Sequence, residues 1–399
     1  MLRSRTYSTR LFFLSLILIV VGCAKKSTGT ETTTSSTLIL PLEKGPFQDN
    51  GASPWYSIMG FGTPAQQLKF GMDTGNNGVW VTSTQCTTEA CTQSGRVRFD
   101  PNASSTFSWI TKESDTLSFG PWGDMLVNQG QDYFSVGETY FKSTSKVLLS
   151  TEYDSVKFEE LNWDGGIGFP SQNSDKRISY FVEQLINDGA IDTADLQLSF
   201  YCDLKTGTGE IRIGNIDSSK VDLSSKLTFP FVQYSSVVPS MQSLDYLWTT
   251  PIQEIKVGHS VIATNKLFCF DTGASDFKGD TSVVLLAKRS IENFKAKYGS
   301  FPKMELNFGI DINGQVGKII LDESQYQKKI EAGEGAGEEI LTFDDLELED
   351  LILVGSVLLD NTYTVFDYYV TGEQGNYTLH PKNMVLYNKK EGTKVIVTN

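Results

Sequence analysis

Residues 70–80 read FGMDTGNNGVW, and residues 268–275 read FCFDTGAS. The triplet Asp-Thr-Gly thus occurs twice, beginning at Asp73 and Asp271, 198 residues apart, each time directly after an apolar run. These residue types favour turns, so one copy alone reads as a turn at a strand end. The pair says more. Each aspartate stands where a buried strand would end, at the edge of a core. Each glycine follows two residues later, where the backbone must turn sharply or approach another backbone closely. Two such loops facing each other would put two carboxyls in one site, and their repulsion would keep one protonated while the other is ionised. Identical residues would then supply a general acid and a general base.

The chain of 399 residues is long enough for two ordinary domains, each with its own core. Its formal net charge of −14 argues against a nucleic-acid partner, because phosphate binding needs basic surface. That charge fits a secreted or envelope protein that must stay soluble.

Outside the globular body, Arg3, Arg5 and Arg10 form a basic n-region, and LFFLSLILIVVG (residues 11–22) forms an apolar h-region. The segment is short for a membrane span and reads as a signal peptide over residues 1–22. It ends in VVGC, which resembles the lipobox of bacterial lipoproteins and makes Cys23 the expected lipid anchor. Residues 23–37, including STGTETTTSST, then read as a flexible tether. A lipid-anchored location in a bacterial cell envelope is the expectation. Four cysteines remain, an even number suited to an oxidising compartment. CTTEAC would close a small loop between Cys86 and Cys91. Cys202 and Cys269 either pair with each other or stay as buried thiols.

Other chemistries find little support. His259 and His380 are the two histidines, and neither stands near a nucleophilic serine or cysteine motif. No CxxC pair or HExxH occurs, so no metal site is expected. Short alternating runs punctuated by Gly, Asn and Asp dominate, among them LILPLEKG, WYSIMGFG, LQLSFYC and IQEIKVG. Helical spacing predicts helices over residues 177–191 and 281–299, each with a glycine suited to its C-terminal cap. The halves echo each other weakly, since GGIGF (165–169) and LILVGSVLL (351–359) each follow one triplet. A duplication would set the two aspartates across a pseudo-twofold axis.

These motifs resemble those of the pepsin-like aspartic peptidases along nearly all of the chain after the tether. GFGTPAQQLKFGMDTGNNGVWVTS is similar to that family's first signature, with Trp80 in place. CTTEAC falls where the family has its small disulfide loop. RFDPNASSTF, WDGGIGFP, YFVEQLINDGAI, GEIRIGNIDSS, FDTGAS and LVGSVLLDNTYTVFDY follow in the family's order. The resemblance implies an all-β, bilobal fold with few short helices and a central cleft, with lobes over residues 38–208 and 209–399. It implies Asp73 and Asp271 as the catalytic pair acting on a water between them, with no cofactor. Thr74 and Thr272 would hydrogen-bond beneath the carboxyls, and Gly75, Asn76, Gly273, Ala274 and Ser275 would shape the loops around them. Peptides or proteins would be the substrates, and a monomer is expected because one chain supplies both triplets.

The sequence also departs from that pattern. LSFGPWGD puts Phe119 and Gly120 where the family's flap usually has tyrosine and glycine, so the hydroxyl expected to face Trp80 is missing. Asn76 replaces a serine, with an amide N–H that can stand in for its hydroxyl, and Ala274 replaces a threonine. The tether is too short for the usual propeptide, so a form active without processing is expected. The rival reading is a pepsin-fold protein of the envelope with weak or no catalysis, which binds a partner in its cleft. Two intact triplets favour the enzyme.

Overall fold

The computed structural model describes residues 37–398. The expected signal peptide, Cys23 and the tether before Thr37 lie outside the described residues. Among those described, the apolar runs become strands of a 15-stranded sheet, an 8-stranded sheet and a two-stranded ribbon. Helices are few, as expected for an all-β fold.

Each triplet sits in the same local arrangement. In the first sheet Gln66–Asp73 runs parallel to Gly165–Gly168, with Gly168 opposite Asp73. The other edge of that glycine-rich strand is antiparallel to Val79–Thr82. In the second sheet Ser260–Phe270 runs parallel to Leu351–Val354, whose other edge is antiparallel to Phe277–Gly279. The weak sequence echo is therefore one strand arrangement built twice. The runs just before the aspartates are buried at consecutive positions (Phe70, Gly71, Met72 and Phe268, Cys269, Phe270), as strands covered on both faces must be.

Chain order and sheet membership diverge in the second half. Thr208–Gly214 forms a hairpin with Gln197–Asp203, so the 208/209 division falls at the first residue of a strand in the first sheet. Thr362–Thr371 returns to pair with Gln197–Asp203 and brings Thr378–Asn388 with it. Ile396–Thr398 goes back to the second sheet.

The longest helix, Thr281–Tyr298, has clear end signals. The Asp280 carboxylate accepts the Val283 N–H at 3.0 Å, and Gly299 closes the helix in the left-handed region at φ 72°. The other predicted helix is shorter than its periodicity suggested, spanning Phe181–Asn187. Tyr180 is extended, and Arg177 is drawn away into ion pairs of 2.7 Å with Asp175 and Asp115.

Cys86 and Cys91 form a disulfide. Cys202 and Cys269 do not pair: both are buried free thiols, one in a strand of each sheet. Burial pushes both thiols well above the usual range, which leaves them unreactive.

Candidate active site

Asp73 is the last residue of its strand and Asp271 follows directly on Ser260–Phe270, so the parallel arrangements deliver one carboxyl from each sheet. Both line a single cleft with a cavity of about 710 Å³. The threonines interlock beneath them. Thr74 N–H donates to Thr272 Oγ1 at 3.0 Å, and Thr272 N–H donates to Thr74 Oγ1 at 3.0 Å. Each hydroxyl donates across the junction, Thr74 to Phe270 O at 2.9 Å and Thr272 to Met72 O at 2.6 Å. Both threonines are buried, where unpaired hydroxyls would be costly, so the four bonds fix the two loops in register.

Above this grip, each aspartate accepts an N–H from its own loop. Gly75 N–H donates to Asp73 Oδ1 at 2.9 Å, and Gly273 N–H donates to Asp271 Oδ1 at 2.8 Å. Each glycine also lies against the other aspartate. A Cβ on Gly75 would stand 2.3 Å from Asp271 Cγ, and one on Gly273 would stand 2.2 Å from Asp73 Cγ. The triplets need glycine because no side chain fits between the carboxyls and the opposite backbone.

The electrostatics follow from this closeness. Burial, the neighbouring Asp271 carboxylate and a hydrogen bond shared with it push Asp73 well above the usual carboxylate range. Burial also raises Asp271; the Lys278 ammonium and its hydrogen bonds, including those from Gly273 and Ala274 N–H groups, partly offset that rise. The titration belongs to the pair, which holds a single proton over a range above ordinary carboxylate pKa values. Such a pair can give a proton to one atom and take one from another.

The other expected residues are placed as follows. Asn76 lines the cleft, but its side-chain oxygen accepts the Gly78 N–H at 2.6 Å. Ala274 is buried in the cleft wall and bridges to Ala52. Ser275 turns away from the pair: its hydroxyl donates to the buried Asp276 at 2.8 Å. Phe119 and Gly120 lie at the tip of a hairpin that overhangs the cleft, and the Phe119 ring meets Trp80 edge-on at 6.2 Å. Among the described residues, no group of three or more His, Cys, Asp or Glu is arranged to hold a metal ion.

Three cleft residues escaped the sequence reading. Lys278 sends its ammonium to Gly51 O at 3.1 Å and lowers both aspartates. The Tyr246 phenol is raised by burial and by the charges of Asp73 and Asp271. Trp122 stands three residues beyond Phe119 in the hairpin tip. The signal for Lys278 was its place seven residues after Asp271, in a short strand that continues the second loop.

Comparison with known proteins agrees with this geometry. Residues 55–372 match the family described as eukaryotic aspartyl protease. Rhizopuspepsin-1 of Rhizopus niveus is 23% identical over 328 residues, covering 78% of this chain and 76% of that protein. Pepsin A of Bos taurus is 30% identical over 248 residues, 61% of each chain. Aspartic protease 3 of Toxoplasma gondii is 25% identical over 233 residues, which is 56% of this chain but only 32% of that larger protein. With a family match over most of its length, a two-sheet fold and a paired Asp-Thr-Gly cleft, the chain belongs to the pepsin-like aspartyl protease family.

Proposed function

We propose that this protein is an aspartic endopeptidase in which Asp73 and Asp271 activate a water between them to hydrolyse peptide bonds. The supporting observation is the reciprocal seating of the pair, each carboxyl resting on the other loop's glycine above interlocked threonines. The ionised member takes the proton of the attacking water, and the protonated member polarises the scissile carbonyl. A tetrahedral intermediate forms and collapses with proton transfer to the leaving amine. No covalent intermediate is needed. The cleft is lined by Leu117, Phe119, Trp122, Tyr246 and Leu346 around the carboxyls, a mixture suited to peptide side chains.

Digestion of a denatured peptide library across pH tests this, with Asp73→Asn as control. The wild type should cleave at acidic to weakly acidic pH and bind pepstatin, a mimic of the tetrahedral intermediate. Absence of both would favour the binding-protein reading, for which Phe119 at the hairpin tip is the motivating departure. On the sequence evidence, Cys23 carries lipid and holds a monomeric body at a bacterial envelope surface. Its basic n-region, apolar h-region and VVGC ending support that reading.

A further inference from the structure

The hairpin over the cleft runs through strands Ser108–Ser118 and Asp124–Asp132, with a tight tip between them. Phe119 N–H donates to Gly123 O at 3.0 Å, so the tip is closed on itself. Phe119 offers no hydroxyl to anything below. Its neighbour Trp122 makes the polar contact instead, donating its indole N–H to Asn50 O at 2.6 Å. The Trp122 ring also meets the fully buried Phe158 edge-on at 4.5 Å. Phe119 adds edge-on ring contacts with Trp80 at 6.2 Å and Phe158 at 5.9 Å, and Asp124 N–H donates to Asp154 Oδ1 at 2.7 Å where the tip ends. Within the tip, the Trp122 indole makes the directional bond to the strap below it.

Asn50 is itself fixed. It is buried, its side-chain oxygen accepts Ala52 N–H at 3.0 Å, and its amide donates to Glu160 O at 3.0 Å. The residues that follow reach the second aspartate loop. Ser53 N–H donates to Gly273 O at 2.7 Å, and Ser275 N–H donates to Gly51 O at 3.1 Å. The strap of residues 50–53 thus touches the hairpin tip at one end and brackets the Asp271 loop at the other.

We propose that Trp122 is a positioning residue whose indole N–H latches the hairpin over the cleft through Asn50 and ties that closure to the Asp271 loop. It does this in place of a hydroxyl at position 119. The latch is a property of the hairpin and the strap; its effect on turnover rests on the aspartic peptidase reading. A peptide held under the hairpin is kept in place by the Trp122 bond, and the strap keeps the Gly273 backbone under Asp73 while the tip is down.

Trp122→Phe keeps a six-membered aromatic ring against Phe158 while removing the N–H together with the pyrrole half of the indole. Hydrogen exchange reads the latch without any need for activity. Amides of residues 118–120 and 122–124 in the unliganded variant should exchange about fivefold faster, and those of Ser53 and Ser275 should lose protection with them. Melting temperature should stay close to wild type. With an active enzyme, pepstatin should dissociate about fivefold faster and kcat/KM should fall by a similar factor, mainly through KM. Unchanged exchange at the tip overturns the latch. Faster exchange at the tip with Ser53 and Ser275 unmoved overturns the tie to the Asp271 loop. Faster exchange with unaltered pepstatin release and KM overturns its role in holding substrate. If the wild type neither cleaves nor binds pepstatin, the peptidase reading fails while the exchange result still decides the latch.

Discussion

Gly75 lies against the carboxyl of Asp271, with room for a hydrogen on its Cα and for nothing larger: a Cβ there would approach Asp271 Oδ2 to 2.3 Å. The first loop's glycine thereby sets where the second loop's carboxyl can be. Gly75→Ala should displace Asp271, and Gly273→Ala should displace Asp73 by the same contact. A shift of about 1 Å at reacting groups costs on the order of 100-fold in rate. Steady-state kinetics on the folded variants should show that loss in kcat. Variants with near-normal kcat would mean that the carboxyls tolerate movement the geometry does not suggest.

The aspartate pair also bears on stability. Both aspartates have folded-state pKa values raised above the ordinary carboxylate value, by burial first and, for Asp73, by its partner's charge. For a group raised in the folded state, the stability contribution is complete below the unfolded pKa and is lost as pH rises through the folded value. Ionising the pair at neutral pH therefore works against the fold. Asp73→Asn should abolish cleavage by about 1000-fold or more. It should also raise the melting temperature at pH 7 by about 1–3 °C, with a smaller gain near pH 4. Thermal melts at both pH values check the sign. A loss of stability at pH 7 would show that the pair is not strained by its charge.

The pH profile should be adjustable from two sides. The Lys278 charge lowers both aspartates, so Lys278→Met should move the acidic limb of kcat/KM to higher pH. Ala274 offers Asp271 no hydroxyl. Ala274→Thr adds a donor that favours the ionised form and should move the same limb to lower pH. Opposite shifts are the expected outcome. Shifts in the same direction would assign the tuning to other groups.

For the anchor, native protein should partition into the detergent phase, and Cys23→Ser should partition into the aqueous phase. A free, unlipidated N-terminus on the native protein would remove the anchor from the account.

The decisive features could be read because they are local. An apolar run before Asp-Thr-Gly fixes where a carboxyl emerges, and two copies fix that there are two. GGIGF and LILVGSVLL were visible as echoes because a strand buried on both faces shows as a continuous apolar or small-residue run; the fold adds that each runs parallel to a triplet's strand. The helix at Thr281–Tyr298 announced itself through its apolar spacing and Gly299, while the Asp280 cap came to light in the fold. What escaped depends on distant partners. Trp122 reads as one more aromatic in a glycine-rich turn until Asn50 O is found beneath it. Ser275 follows the second triplet in the family's manner but is drawn to Asp276, a residue whose burial no local pattern reveals. The two remaining thiols could not be separated by counting, since only the fold puts one in each sheet.

The return of Thr362–Thr371 to the first sheet sets an order of events during synthesis. In chain order Gln197–Asp203 finds a partner for one edge in Thr208–Gly214, but its other edge waits for residues made 159 positions later. At roughly 5–20 residues per second, that edge stays open for about 10–30 s. Open strand edges template pairing with other chains. The nascent protein should therefore depend on chaperone cover over this interval, and chains stopped before Thr362 should aggregate while full-length chains stay soluble. Ribosome-bound chains made without residues 1–22 and arrested with Thr371 inside or outside the exit tunnel would show the change as a loss of chaperone crosslinks once the closing strand has emerged.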